Sequence, residues 1–263
     1  MEPASKPPLL DVRNLRVMRG QKIVLDEFSL RIGAHEHVAI LGPNGCGKST
    51  LIKTITRECY PVARAESSMS ILGAETWDIF QLRASLGIVS NDLMLSCTGD
   101  ANGRDVVLSG FFSSTAIYPN HTVDPEQMAQ AEAALEQLNI AHLADRPVAE
   151  MSSGEARRVL IARALVHKPQ ALLFDEPCNS LDLSAQQNLR HTMSVLANSG
   201  TAIILVTHEL ADVVPEIQRV VLMSRGRVVA DGPKEQMLQV ERLGALFGVN
   251  VELARRDGHY HLW

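Results

Sequence analysis

Residues 37–56 read HVAILGPNGCGKSTLIKTIT, and the order of this stretch decides the fold. His37-Val38-Ala39-Ile40-Leu41 is a short, nearly unbroken apolar run, as expected of a strand buried on both faces. It ends in Gly42-Pro43-Asn44-Gly45-Cys46-Gly47-Lys48-Ser49-Thr50, which matches the phosphate-loop pattern G-x-x-x-x-G-K-[ST] at every fixed position. Residues 48–56 continue as a helix, with Leu51, Ile52 and Ile55 at helical spacing. The glycines let the backbone curl so that its N–H groups point at phosphate oxygens. The helix N-terminus adds a positive dipole end, Lys48 a full charge, and Ser49 a hydroxyl that reaches Mg²⁺. Strand, loop and helix in that order predict an α/β fold of the P-loop type that holds a nucleotide triphosphate.

On the N-terminal side, residues 9–17 and 23–32 each alternate apolar and polar side chains, with Gly20-Gln21 between them, which predicts an antiparallel pair. On the C-terminal side the texture changes. Residues 90–120 are rich in Ser, Gly and Asn. Asp124-Pro125-Glu126 then opens a helix with an N-cap and a first-turn proline, whose apolar face is Met128, Ala131, Leu135 and Leu138. A second helix over residues 155–166 turns Val159, Leu160, Ala164 and Leu165 inward. Strand-helix-strand spacing returns with residues 171–174, 183–198 and 202–206. Residues 220–223 and 227–230 read as a hairpin. A helix over 239–247 and a second hairpin, 249–253 with 259–263 turned at Asp257-Gly258, close the chain. The reading is one domain over residues 1–263: an α/β core with a mixed sheet (9–90 and 156–238), a helical insertion (91–155) and a small C-terminal extension (239–263).

Two further segments carry chemistry. Ala171-Leu172-Leu173-Phe174 is an apolar strand that ends in Asp175 and Glu176. Asp175 is placed to hold Mg²⁺ through water and Glu176 to polarise a water that attacks the γ-phosphorus. A pair of acids after a strand is equally compatible with a solvated strand end, and it is the phosphate loop that tips the reading. Met151-Ser152-Ser153-Gly154-Glu155 contains an S-x-x-E capping box, so by its chemistry alone it is a helix N-terminus presenting a hydroxyl and a glycine.

Composition sets the outer bounds. With 263 residues the chain has room for one to two domains, and its net charge of −5 disfavours a protein that coats nucleic acid through clustered Lys and Arg. No nucleic-acid partner is expected. No window approaches the roughly 18 consecutive apolar residues of a membrane span. Residues 1–8 contain Glu2, Lys6 and three prolines and lack the pattern of a secretory leader, so a cytoplasmic protein is expected. Cys46, Cys59, Cys97 and Cys178 form no C-x-x-C pair and have no zinc spacing.

The phosphate loop, the Met151–Glu155 segment, the strand ending at Glu176, Ser180-Leu181-Asp182 and Val206-Thr207-His208 resemble, in order and spacing, the nucleotide-binding subunits of ATP-binding-cassette (ABC) transporters. The resemblance runs from Leu9 over nearly the whole chain. Met151-Ser152-Ser153-Gly154-Glu155 resembles that family's Leu-Ser-Gly-Gly-Gln signature, with Met, Ser and Glu at its first, third and fifth positions. The resemblance implies an ATPase that binds ATP and Mg²⁺ and pairs head to tail. Ser152, Ser153 and Gly154 of one cassette would cover ATP held by the phosphate loop of the other, and Asp182 would help connect the two sites. His208 would contact the γ-phosphate and orient the attacking water. Lys48, Glu176 and His208 are then the catalytic group, and Ser49, Asp175 and Asn91 the metal group.

Two positions depart from the family pattern. Asn91 stands where Gln is usual after Gly87-Ile88-Val89-Ser90, and it is shorter by one C–C bond, about 1.5 Å, so a water would have to bridge it to the metal. Arg19, or Met18 in a shifted register, stands where an adenine-stacking aromatic is usual. A planar guanidinium can stack on a base, and an exposed turn Arg is equally compatible.

The family's membrane subunits dock a short helix after the Asn91 position. Residues 106–123 carry no acid, Lys or Arg and concentrate Phe111, Phe112 and Tyr118 in a chain that is 4% aromatic, which suits either a docking groove or the buried core of the insertion. The C-terminal texture is similar to ATPases of iron-siderophore, haem, cobalamin and molybdate importers. The resemblance thus implies a homodimer on the cytoplasmic face of the membrane, with separate permease subunits and an extracytoplasmic solute-binding protein. The competing expectation is a soluble cassette that switches a cytosolic or nucleic-acid partner. A GTPase is disfavoured because Asn179-Ser180-Leu181-Asp182 lacks the Lys of a guanine-binding motif.

Overall fold

The computed structural model describes residues 6–97 and 101–263. The first residues of the leader reading, Met1 to Ser5, and Thr98-Gly99-Asp100 of the Ser/Gly/Asn-rich stretch lie outside the described residues. The chain divides into two compact units, one formed by the described residues up to Asp78 with Ala202–Trp263, the other by Ile79–Thr201. The second unit is larger than the 91–155 insertion read from the sequence, because the strands flanking that insertion belong to it.

In the first unit, β1 (Leu10–Arg19) and β2 (Lys22–Ile32) form the expected antiparallel pair, from Leu10 opposite Ile32 to Arg19 opposite Lys22. Gly20 supplies the positive φ (+60°) that the two-residue turn needs. β3 (Val38–Leu41) is buried at all four positions, and α1 (Lys48–Ile55) follows the glycine loop. β4 (Ser68–Ile71) adds to the free edge of β1, with Leu10 opposite Ile71. The sequence reading missed β4, since alternation over four residues, two of them Ser, is too short a period to stand out.

In the second unit, α2 (Ile79–Ser85) leads into β5 (Leu86–Ser90), then α3 (Asn91–Ser96) and α4 (Gly103–Ser109). The last two are short helices inside the stretch noted for its Ser, Gly and Asn content, started by Ser90 and Asn102 N-caps that accept from Leu93 N–H and Asp105 N–H. α5 (Pro125–Gln137) has the expected Asp124 cap. Its Ala131 and Leu135 are buried, whereas Met128, assigned to the same face, lies in the first turn and is 37% exposed. α6 (Ser153–Leu165), β6 (Ala171–Asp175) and α7 (Leu183–Asn198) complete the unit. β5 and β6 are parallel, and an added Cβ at Gly87 would lie 2.6 Å from Leu172 Cδ2 and 2.7 Å from the Ala164 carbonyl oxygen. That glycine lets α6 close onto the strand pair.

Back in the first unit, β7 (Ala202–Thr207) and β8 (Arg219–Ser224) pair in parallel with β3 on its two sides. β9 (Arg227–Pro233) pairs antiparallel with β8 through the expected hairpin, so this sheet is mixed, in the order β7-β3-β8-β9. A short α8 (Lys234–Met237), α9 (Val240–Phe247) and the hairpin of β10 (Leu253–Arg256) with β11 (His259–Leu262) follow. The first strand of that hairpin was expected over residues 249–253. It lies at Leu253–Arg256 because a two-residue Asp257-Gly258 turn needs pairing up to Arg256, which faces His259.

Candidate functional site

In the first unit the phosphate loop leaves β3 where Leu41 is paired with Thr207 of β7 and Leu222 of β8. Gly42 is fixed by space, since a Cβ there would sit 2.2 Å from the Met223 carbonyl oxygen and 2.8 Å from Cys46 Sγ, whereas a Cβ at Gly47 would meet the movable end of Leu25 at 2.9 Å. Gly45 (φ +77°) and Gly47 (φ +111°) are left-handed, a conformation in which L side chains are strained. The loop is braced from behind, where Gly226 N–H donates to the Cys46 carbonyl at 2.8 Å. Lys48, the first residue of α1, is buried, and its Nζ donates to the carbonyls of Gly42 (2.8 Å) and Pro43 (3.2 Å). Asn44, Gly45 and Ser49 are exposed, while Cys46 and Thr50 are buried. A rigid loop with one lysine at its mouth fits the polyphosphate of a nucleotide.

His208 follows Thr207 directly, so it leaves the strand adjacent to the one that launches the phosphate loop. Thr207 Oγ1 donates to Asp212 Oδ2 at 3.1 Å and accepts from Glu209 N–H at 3.0 Å, which fixes the turn that carries His208. His208 Nε2 lies 3.6 Å from Glu209 Oε1. Arg19 and Met18, the two residues considered for adenine, are both exposed at the β1 end of the first hairpin.

In the second unit, Ser90 of β5 and Asp175 of β6 are register partners, so Asn91 and Glu176 leave the strand pair side by side. Both acids are half-buried. Glu176 has φ +48°, a strained value for a non-glycine residue that places its side chain on a tight turn closed by Asn179 N–H on the Glu176 carbonyl at 3.2 Å. Asn179 Nδ2 also donates to Glu176 Oε2. Ser49 in the first unit and Asp175 in the second each carry a hard oxygen of the kind that Mg²⁺ takes.

The 151–155 segment is the capped helix start that the sequence predicted. Ser152 Oγ accepts from Glu155 N–H at 3.3 Å and Ser152 N–H donates to Glu155 Oε2 at 2.8 Å. The Ser152 N–H bond to the carboxyl, with Arg146 nearby, holds the Glu155 carboxyl below its ordinary pKa range. Asp182 caps α7 by accepting from Ala185 N–H at 2.8 Å. The two caps face one cavity of about 170 Å³ lined by Ser152, Gly154, Glu155, Asp182, Ser184 and Ala185. Gly154 is required there, because a Cβ on it would approach Ala185 Cβ to 2.8 Å. That contact joins α6 to α7 and puts residues thirty apart in sequence on one surface.

Residues 106–123 divide. Val106, Val107 and Leu108 are core, whereas Phe112 stacks on His121 with ring centroids 4.2 Å apart, Phe111 meets His167 edge-on at 5.0 Å, and Tyr118 is exposed. The buried-core reading holds for Val106, Val107 and Leu108.

The sequence reading missed Arg157. On α6 it occupies the stripe shared with Leu160, Ile161 and Ala164, it is fully buried, and its Nη2 donates to Asn91 Oδ1. A charged residue at core spacing on a helix was the available signal.

A family model described as ABC transporter matches residues 25–179. The hemin import ATP-binding protein HmuV of Bradyrhizobium diazoefficiens is 30% identical over 258 residues, covering 95% of this chain and 92% of that protein. The ABC transporter ATP-binding protein YlmA of Bacillus subtilis is 30% identical over 250 residues, covering 93% of each. Among solved structures, cbiO1 from Clostridium perfringens, part of the ABC transporter complex cbiONQ, superposes with a TM-score of 0.75 at 27% identity, over 90% of this chain and 92% of that one. MJ1267 in its ADP conformation, an ATP-binding cassette of an ABC transporter, shares the fold with a TM-score of 0.74 at 23% identity, over 88% and 92%.

Proposed function

This chain belongs to the ABC transporter family, and from that premise we propose that it energises import as a head-to-tail homodimer docked on separate membrane-spanning permease subunits. It is an ATPase. The observation that carries the ATP-binding part of the reading is the phosphate loop, in which Gly42 admits no side chain, Gly47 holds a left-handed conformation and the Lys48 ammonium is held by the loop carbonyls. Likeness to a hemin import protein and to a component of the cbiONQ complex supports import of a metal-bearing or chelated solute, delivered by an extracytoplasmic binding protein. Among the described residues no helix is long and apolar enough to cross a membrane. Likeness to proteins named as ATP-binding proteins of transporters supports assigning the spanning part to other chains and this one to the cytoplasmic face. Relatives that match over nine-tenths of the chain and are named as transporter subunits favour this over a switch acting on a cytosolic or nucleic-acid partner.

The phosphate-loop N–H groups and the Lys48 ammonium hold the β- and γ-phosphates of ATP. Ser49 and Asp175 would hold Mg²⁺, which when bound neutralises charge on those phosphates. Glu176, fixed on its turn, hydrogen-bonds the attacking water and takes its proton. The water oxygen bonds the γ-phosphorus as the bond to the β–γ bridging oxygen breaks, and ADP and phosphate result. His208 holds a γ-phosphate oxygen and keeps the water in line. Ser152, Ser153 and Gly154, at a helix N-terminus where anions are favoured, cover the γ-phosphate of the partner cassette, with Asp182 beside them. ATP thereby closes the pair, and hydrolysis releases it.

The deciding experiment is purification from membranes after gentle detergent extraction. The expected result is a complex with a polytopic membrane protein whose ATPase rate exceeds that of the isolated chain. Recovery of the chain alone, with no membrane partner, would overturn the transport reading.

A further inference from the structure

Arg157 is the largest of the fully buried side chains, and it is poorly satisfied. Its Nη2 donates to Asn91 Oδ1, while Nε and Nη1 are buried with no hydrogen-bond partner. Its guanidinium therefore lies against Asn91, the first residue of α3, which follows β5 directly. A buried cation using so few of its five donors costs stability, and an apolar side chain of similar volume would fill the same space without that cost. Packing therefore does not explain an arginine here.

Oδ1 is the Asn91 atom that a hard cation would take, because the amide nitrogen only donates. In this structure a guanidinium already engages that oxygen. A divalent ion on the remaining lone pair would be set against a buried like charge in a low-dielectric interior. Arg157 also lies on the signature helix, one turn beyond Gly154, so the bond ties α3 to the element that carries Ser152 and Gly154.

We propose that Arg157 is a positioning residue of the nucleotide site, and that Asn91 serves as the pin it holds, joining α3 to the signature helix, and not as a metal ligand. The proposal rests on the reading that Glu176 and the phosphate loop hydrolyse ATP. A mechanical link replaces the contact that Gln would make through the metal, so movement of α3 is transmitted to α6 through one charge-assisted hydrogen bond.

The test uses the full chain with the fluorescent nucleotide mant-ATP and Mg²⁺. Asn91→Ala is expected to leave the Mg²⁺ dependence of mant-ATP binding within about two-fold of wild type, and a ten-fold weakening would restore Asn91 as a ligand and overturn the proposal. Arg157→Met is expected to keep or raise Tm and keep KM for ATP within about two-fold, while kcat falls at least ten-fold. Arg157→Lys, which still donates to Asn91, is expected to recover most of kcat. Full activity in Arg157→Met, or loss of activity and Tm in step, would overturn the positioning role. Should Arg157→Met fail to fold, Arg157→Lys decides: retained kcat supports the role, and a matched fall in kcat and Tm removes it. Unchanged turnover in Glu176→Gln would instead remove the reading on which the proposal rests, and it leaves the Asn91 metal measurement interpretable.

Discussion

Leu41 of β3 and Thr207 of β7 are register partners in a parallel pair, so the phosphate loop and His208 leave the sheet from neighbouring strand ends. In parallel sheets the loops beyond the carboxyl ends of the strands are where ligands bind. The turn that carries His208 is held by Thr207, which bonds Asp212 and the Glu209 N–H.

Replacement of His208 by Ala should lower kcat about 10²-fold through loss of the proposed γ-phosphate contact, with KM changed by about three-fold or less. Tm should stay close to wild type, since the side chain is half-buried at the end of an intact turn. Steady-state ATPase kinetics with a thermal melt checks both parts, and an unchanged kcat would remove His208 from the catalytic group.

Glu176→Gln keeps the shape of the side chain and removes its capacity to accept a proton. Hydrolysis should drop by about 10² to 10⁴-fold while mant-ATP still binds. Size-exclusion chromatography with ATP and Mg²⁺ should then show a trapped dimer. Normal turnover would move the general base elsewhere.

Gly154→Ala places a Cβ about 2.8 Å from that of Ala185, closer than real carbon contacts allow. The expected cost is about 1 to 3 kcal/mol, seen as a fall in Tm of several degrees. Ala185→Gly in the same chain should return part of it, because the second substitution removes the colliding atom. An additive double mutant would show that the two helices do not press together at this point.

The capping box makes a pH prediction. Folding holds the Glu155 carboxyl below its ordinary pKa range, first through its bonds to Ser152. A depressed carboxylate stabilises the fold at pH values above its unfolded pKa of about 4.3, and that stabilisation is lost as pH falls through the lower folded value. Glu155→Gln keeps a capping side chain without the charge. Wild type should melt higher than Glu155→Gln at neutral pH, with the gap beginning to close at about pH 4 and vanishing in stronger acid. A gap that is constant across this range would show that the charge contributes nothing.

Much of the candidate site was legible because its chemistry is local. The phosphate loop needs glycines at fixed offsets from Lys48, and the Ser152 to Glu155 box is a relation between residues three apart, so both can be read from spacing. β4 was hidden by its shortness, and α3 and α4 by polar helix starts that also suit loops. The shift of the last strand to Leu253–Arg256 follows from turn geometry, which sets register more strictly than the apolar pattern there does.

The residue order alone settled the fold class, the phosphate loop, the acids at the end of β6 and the capped start of α6, since each depends on backbone conformation over a few consecutive residues. Only the tertiary structure decided that Ser152 and Asp182 line one cavity, that Gly154 must be glycine because of Ala185, and that Arg157 is buried against Asn91. Those three relations join residues about thirty to sixty-six positions apart. They are set by which helix faces meet, and that is a property of packing that no local pattern encodes.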